Sequence, residues 1–285
     1  MKFDKKILID SLIGLVLGGG LVWIAYYCLN EQFIFKFFPQ EDIISKIFFF
    51  SSVVIAPFFA IVVHELGHLL AGVFQGFRVE LLVVYFFGLR RTNDKLELFF
   101  NTNVQYFGGV AATSPKTLQN DYDLIRKYAT ILICGPIASL LLAIISFIII
   151  YYYDFQLNPF FGLLTVTSFG IFIATTLPEK SGIFFTDRKR FQRLLDKGDI
   201  GKIELAFLQI VNQSLLENTC KNLSIDKVNM LKQDSDKIIQ FWGYYFEFQF
   251  YKDNALAEDM QLMRASLDEY KKVIPKALWK SLEID

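Results

Sequence analysis

The chain has 285 residues, of which 53% are hydrophobic and 31 are phenylalanine. With a positive mean hydropathy, this composition is typical of a membrane protein rather than of a soluble domain. Lysine plus arginine equals aspartate plus glutamate, at 29 each. Net charge therefore gives no support for a nucleic-acid partner, and we expect none. Three widely spaced cysteines, Cys28, Cys134 and Cys220, argue against a disulfide framework.

Four apolar stretches are long enough to cross a bilayer, which needs about 20 residues per helix. They cover about residues 7–29, 43–73, 128–153 and 157–177. The first follows two lysines but is too long for a signal peptide and lacks a clear cleavage site, so we interpret it as a retained anchor. We expect a mainly α fold: a membrane bundle of about four transmembrane helices, with a small β-sheet insertion and a C-terminal soluble helical tail.

Basic residues predict the orientation of this bundle, because they concentrate in cytoplasmic connections. They cluster in the amino-terminal residues, in the connection 77–127 and after the fourth span, whereas the two remaining connections hold two basic residues and none. We therefore predict a multi-pass protein of the cell membrane with both termini in the cytoplasm. The abundance of Phe, Ile, Lys and Asn favours a bacterial source.

The second span contains His64-Glu65-Leu66-Gly67-His68, which holds the only two histidines of the chain. Residues four apart stand on one helix face, so both imidazoles can bind one metal ion and Glu65 can reach a water bound to it. This HExxH pattern is the helical zinc-protease signature. Three ionisable groups in one turn of an apolar helix are costly to bury, which favours a metal site over a pair of packed histidines.

The residues alone do not identify the third ligand of such a site. A catalytic zinc ion takes three protein ligands and leaves one position for water. With no third histidine, the remaining ligand is a carboxylate or Cys134. Glu80 and Glu97 fall in a strand-like region, where we expect them to face solvent. Asp187 follows the fourth span after a helix break at Pro178, but it could equally cap the helix that follows it.

The connection between the second and third spans contains short apolar segments. Residues 79–87, 96–100 and 104–107 are apolar, with polar residues at 91–94 and 101–103 between them. This pattern predicts two or three strands joined by turns. They form a small sheet that we expect at the cytoplasmic face of the bundle.

The last 95 or so residues have a different character. Apolar residues recur at helical spacing among charges over residues 203–216, 235–251 and 256–270. They predict a soluble helical tail that could bind a cytoplasmic partner. We accordingly divide the chain into an N-terminal anchor and loop (1–42), an intramembrane core (43–193) and a cytoplasmic helical tail (194–285).

These motifs resemble those of the site-2 proteases, a family of intramembrane zinc metalloproteases. The family carries HExxH on one transmembrane helix. On a later one it carries Asn-x-x-Pro leading to an Asp-Gly whose aspartate is the third ligand. Pro178 and Asp187 match this second motif, whereas Thr175 stands where the family has asparagine and Arg188 where it has glycine.

Two further segments carry the resemblance, which covers roughly residues 43–193. Residues 135–139, Gly-Pro-Ile-Ala-Ser, are similar to a Gly-Pro with small residues in the intervening span of the family. Gly108 and Gly109 are similar to a glycine pair that precedes that span. Together with Thr175, these two glycines are the residues that we expect at the substrate.

The resemblance implies a zinc-dependent intramembrane endopeptidase. Zn²⁺ would be held by His64, His68 and Asp187, and Glu65 would activate the zinc-bound water as a base and then protonate the leaving amine. The substrate would be a transmembrane protein or membrane-anchored peptide, cut near the cytoplasmic face of the bilayer. The departures at Thr175 and Arg188 keep one alternative open: a catalytically weakened membrane binding or immunity protein on the same fold.

Overall fold

A computed structural model describes residues 41–92, 94–103, 106–117, 119–153, 157–181, 184–282 and 284, with Lys36 and Phe38. The predicted first span, residues 7–29, lies outside these residues. The chain divides into two compact units. One contains the described residues up to Pro57 with Leu142–Thr167, and the other contains Phe58–Leu141 with Ser168–Asp285. The domain boundaries at residues 42 and 193 stay predictions.

Three helices are long and apolar enough to cross a membrane. They are α1 (Ile43–Phe74), α2 (Asp121–Tyr152) and α3 (Asn158–Thr176), and they coincide with the second, third and fourth predicted spans. Helix α2 begins seven residues before the predicted start at residue 128, because its first turn is polar. Asp121 and Asp123 occupy that turn, where negative charge favours a helix.

Four antiparallel strands form the predicted small sheet. They are β1 (Phe77–Val84), β2 (Phe87–Thr92), β3 (Lys95–Phe100) and β4 (Val110–Pro115), in the order β3-β2-β1-β4. The chain reversal expected near residues 91–94 is confirmed, because β2 ends at Thr92 and pairs antiparallel with β3, which begins at Lys95. The apolar segment 79–87 does not form one strand. Tyr85 adopts a positive φ of 50°, and the chain reverses there between β1 and β2.

Strand β4 lies at one edge of the sheet, paired on one side with β1. Its sequence, Val-Ala-Ala-Thr-Ser-Pro, has no alternation of large apolar and polar residues, so hydropathy gives no signal for it. The strand expected at 104–107 is absent from its described part, since residues 106–108 form a turn. Residues 104 and 105 lie outside the described part of the chain. Gly109, which precedes β4, has φ of 98°.

The C-terminal part is helical, as predicted. A two-stranded ribbon, β5 (Lys180–Ser181) with β6 (Phe184–Phe185), leads into this part. It contains α4 (Asp187–Leu194), α5 (Asp199–Glu217), α6 (Ile225–Lys232), α7 (Lys237–Asp253), α8 (Ala257–Asp268), a 3-10 turn (Glu269–Lys272) and α9 (Lys276–Ser281). Buried residues of α5, α6 and α7 share one core, and those of α7, α8 and α9 share another.

A third apolar cluster joins this helical tail to the membrane helix α2 and to the sheet. Phe77 of β1, Leu124 and Ile131 of α2, Leu194 of α4 and Leu208 of α5 are all buried together. The tail therefore packs in the same compact unit as the sheet and the HExxH motif.

Buried ion pairs connect α4 to the tail. Arg193 donates through Nε to Glu204 at 2.9 Å and through a terminal nitrogen to Asp234 at 2.5 Å, while Arg190 donates to the other Glu204 oxygen at 2.9 Å. Glu204 and Asp234 are only 1% and 3% exposed. Burial acts to lower the pKa of Arg193, but the two carboxylates outweigh it and raise this pKa above its ordinary value.

We expect Arg193→Ala to lower the free energy of unfolding by about 3–5 kcal/mol, because it leaves two buried carboxylates without their shared partner. Lys202→Ala, which removes an exposed pair with Asp199, should cost less than about 1 kcal/mol. Denaturant unfolding of both purified variants in one detergent measures the difference. Equal losses would show that the buried network does not stabilise the tail.

Candidate metal centre

The two histidines of the motif lie on one face of α1, as their spacing requires. Their Nε2 atoms are 3.3 Å apart, and the two residues are 5% and 8% exposed. Glu65, between them, is 6% exposed. Three ionisable side chains are therefore buried within one turn of an apolar helix, a costly arrangement unless a charged partner compensates them.

Asp187 completes the group from the first turn of α4. Its Oδ2 atom lies 3.3 Å from Nε2 of His64 and 3.5 Å from Nε2 of His68. The capping role that was open for Asp187 belongs to Thr186, whose hydroxyl accepts from the backbone N–H of Lys189 and donates to the carbonyl of Leu177 at 2.6 Å. Asp187 is thereby free to point at the histidines.

The three donor atoms fit a zinc ion. A tetrahedral zinc ion holds nitrogen and oxygen ligands at about 2.0–2.2 Å, which separates these atoms by about 3.3–3.6 Å. The observed separations of 3.3, 3.3 and 3.5 Å match this spacing. Oδ2 of Asp187 is also buried without a hydrogen-bond donor among the described residues. A cation would satisfy that atom, and the three side chains together could hold one.

The electrostatics of Asp187 suit a ligand. Burial acts to raise the pKa of this carboxyl, but the two histidines outweigh burial and hold it at about 2. The group is therefore ionised at neutral pH, which is the form that binds a metal.

Helix α2 orients both imidazoles. Nδ1 of His68 donates to the carbonyl of Ile131 at 2.7 Å, and Nδ1 of His64 lies 2.9 Å from the hydroxyl of Ser139. With its proton on Nδ1, each ring would present at Nε2 the lone pair that metal binding requires. Supporting hydrogen bonds of this kind fix the tautomer and ring orientation of metal-binding histidines.

Two glycines allow α1 and α2 to approach. A β-carbon at Gly67 would lie 2.6 Å from the carbonyl oxygen of Cys134, and one at Gly135 would overlap the imidazole of His68. The Gly-Pro segment 135–139 therefore supports the site twice, with Gly135 against one histidine and Ser139 bound to the other.

A cavity of about 530 Å³ opens at this group. Its lining contains every predicted site residue: Glu65, the three candidate ligands, and the expected substrate contacts Gly108, Gly109 and Thr175. A β-carbon at Gly109 would overlap the carboxylate of Glu65, so this glycine leaves the space that Glu65 occupies. The hydroxyl of Thr175 donates to the carbonyl of Ile171 at 2.9 Å, so its proton is used within its own helix.

The other candidate ligands lie elsewhere. Glu97 is exposed, as expected. Glu80 was expected to face solvent, but its side chain is only 10% exposed: it pairs with Arg78 of the same strand and accepts a hydrogen bond from Ser114 of the neighbouring strand β4. Cys134 does not belong to the cluster of potential ligand atoms.

Several residues that contribute to the site carry no recognisable signal in the sequence. Ser139 lay within a segment noted for its small residues, yet its hydrogen bond to His64 depends on helix packing. The carbonyl of Ile131 has no sequence signal, because any residue would supply it. Strand β4, Arg190 of α4 and Phe207 of the tail also line the cavity and were missed for lack of a motif.

Comparison with known proteins agrees with this geometry. The model of the family described as peptidase family M50 matches residues 52–278, so the chain belongs to this family, that of the site-2 proteases. M50 proteins are membrane metalloproteases, and the match extends through most of the helical tail. No curated protein and no solved structure matches the chain.

Gly135→Ala should weaken zinc binding by at least about tenfold, because the added methyl group displaces the His68 imidazole from its supported position. Gly170→Ala is the matched control, since nothing lies within 4 Å of a β-carbon at that position. Chelator competition measures the zinc affinity of both variants and tests this prediction. Unchanged affinity in a folded Gly135→Ala protein would contradict the arrangement of α1 and α2 described above.

Ser139→Ala should lower zinc affinity by about 10–100-fold, because His64 loses the hydrogen bond that orients its ring. Ser146→Ala removes another buried hydroxyl from the same helix and should leave the affinity unchanged. The same chelator competition distinguishes them. Equal affinities in the two variants would mean that Ser139 does not support the ligand.

Proposed function

We propose that the protein is a zinc-dependent intramembrane endopeptidase that cuts a membrane-anchored protein or peptide near the cytoplasmic face of the bilayer. The observation that carries this proposal is the convergence of His64, His68 and Asp187 beside Glu65, within an apolar helix. Family membership supports the class of activity, and the separations of the donor atoms support the metal.

His64, His68 and Asp187 would hold the zinc ion through Nε2, Nε2 and Oδ2. When bound, zinc supplies Lewis-acid chemistry: it polarises a carbonyl group and lowers the pKa of water toward about 7. The hydrogen bonds at Nδ1 of both histidines would keep the rings in place while charge changes at the site.

Glu65 has the position of a general base. Its carboxylate is buried beside the ligands and borders the cavity next to Gly109. No described residue donates a hydrogen bond to it, so it is available to accept a proton from the attacking water. The same carboxyl would then deliver that proton to the leaving amine.

The substrate would bind in an extended form along β4. A peptide bond inside a helix is shielded, so the segment to be cut must first unwind. Residues 108–113, which comprise the two glycines and the start of β4, all line the cavity. An edge strand presents unpaired backbone groups that an added strand can bind. This geometry supports Gly108 and Gly109 as substrate contacts, with Thr175 on the opposite helix α3.

The remaining assignments follow the membrane helices. Three apolar helices and the family support a membrane protein. The charge pattern supports a cytoplasmic site and both termini in the cytoplasm. The composition supports a bacterial source, and the charged helical tail supports a cytoplasmic partner. The division at residues 42 and 193 is proposed on the same basis.

One observation favours the alternative function, a weakened binding or immunity protein. The Thr175 hydroxyl donates its proton within α3, so it does not present a free donor in place of the family asparagine. A complete ligand set with Glu65 beside it favours the endopeptidase instead, since binding alone requires neither.

We expect Asp187→Ala to lose bound zinc, and Glu65→Gln to retain about one zinc per chain while cleavage falls by at least about 100-fold. Metal content is read by mass spectrometry of the purified variants. Cleavage of a mixture of membrane-anchored peptides in detergent micelles is read from the products. Glu97→Gln, at an exposed carboxylate, should change neither quantity.

Two outcomes would overturn this assignment. Zinc retained in Asp187→Ala would remove the carboxylate from the ligand set. A parent protein that binds zinc but yields no product that depends on Glu65 would favour the binding protein over the endopeptidase.

A further inference from the structure

A second cavity, of about 150 Å³, adjoins the catalytic cavity. Phe185, Arg190 and Phe207 line both cavities, so the two share a boundary. Phe185 and Arg190 flank Asp187 in the sequence, two residues before it and three after it. The boundary therefore lies at the helix that carries the third candidate ligand.

The remaining walls of the second cavity are largely apolar and come mainly from the tail. They are formed by Ile238, Ile239 and Trp242 of α7, Leu278 of α9 and Tyr106. A cavity of about 150 Å³ with apolar walls accepts one benzene-sized ring. The volume and chemistry thus fit a single large apolar group, such as a phenylalanine or leucine side chain, and are too small for a folded segment.

Arg190 is the one charged residue in this lining, within the described part of the chain. Its Nε donates to Glu204 at 2.9 Å, and its guanidinium lies 5.2 Å from the centre of the Phe207 ring. These two contacts fix the side chain at the shared boundary. Its terminal nitrogens have no hydrogen-bond acceptor among the described residues, so they can donate to a ligand there.

We propose that the second cavity is a specificity pocket for one large apolar side chain of the substrate, with Arg190 donating to a main-chain carbonyl at its entrance. The proposal rests on the proposed endopeptidase function. A chain extended along β4 sends side chains alternately to its two faces, so one residue near the cut can enter the pocket while its neighbours stay in the larger cavity. Substrate choice would then depend on tail residues.

The test measures binding in Glu65→Gln, which should not turn over. The probes are fluorescent hexapeptides with polar flanking residues and either phenylalanine or alanine at one central position. Fluorescence polarisation in detergent gives their affinities. We expect at least about tenfold tighter binding of the phenylalanine peptide, a ratio typical of an apolar pocket that gains a filling group.

Adding Trp242→Leu should reduce this ratio to less than about threefold, because one wall of the pocket is shortened. Adding Tyr244→Leu is the matched control: it removes an aromatic residue of the same helix that lines neither cavity. That variant should keep the ratio of the Glu65→Gln protein. Zinc content measured alongside verifies that each variant retains its metal centre.

A second measurement needs no variant of the pocket. A hexapeptide with benzoylphenylalanine at the central position should crosslink to residues of the second cavity, as identified by mass spectrometry. Equal binding of the two peptides, a ratio unaffected by Trp242→Leu, or crosslinks confined to other surfaces would overturn the proposal. Selective binding without any cleavage by the parent would instead refute the endopeptidase and leave the pocket as a binding site.

Discussion

Three potential ligand atoms that face one another inside an apolar environment create the constraint on which this structure depends. The Nε2 atoms of His64 and His68 and Oδ2 of Asp187 lie within 3.5 Å of each other, where they repel unless a cation or proton lies between them. Such an arrangement forms only if the surrounding protein holds each side chain. The packing of α1, α2 and α4 provides that support.

The support comes from three directions. Helix α2 approaches through small residues, and its serine and carbonyl groups bind the far nitrogen of each imidazole. The ribbon and Thr186 start α4 so that Asp187 points inward. The tail binds the same helix through Arg190 and Arg193. The helical tail is therefore part of the structure that positions Asp187, the third candidate ligand.

Those parts of the fold that depend on local pattern could be predicted. Continuous hydropathy indicated the three described membrane helices, and helical periodicity indicated the tail. The four-residue spacing of the histidines predicted their shared face. The prediction of Asp187 as a ligand depended on the family resemblance, because spacing alone makes a helix cap and a metal ligand equally plausible for one carboxylate after a proline.

What the sequence could not predict depends on register and on contacts between distant segments. Glu80 is shielded from solvent because strand pairing brings Ser114 beside it and Arg78 lies two residues away, and no local pattern predicts that pairing. Strand β4 has small residues and gives no hydropathy signal, although it lines the cavity at the candidate metal centre. Ser139 supports His64 only because α2 packs against α1 at that height.

The order of residues along the chain has a consequence for biosynthesis. All three donor side chains and Glu65 precede residue 188, but the buried acids that bind Arg193 come 11 and 41 residues after it. A nascent chain that has reached residue 200 contains every candidate ligand and neither acid that fixes α4. The candidate metal centre therefore depends on residues that are synthesised after all of its ligands, and a chain that ends before Glu204 would lack the contacts that fix α4.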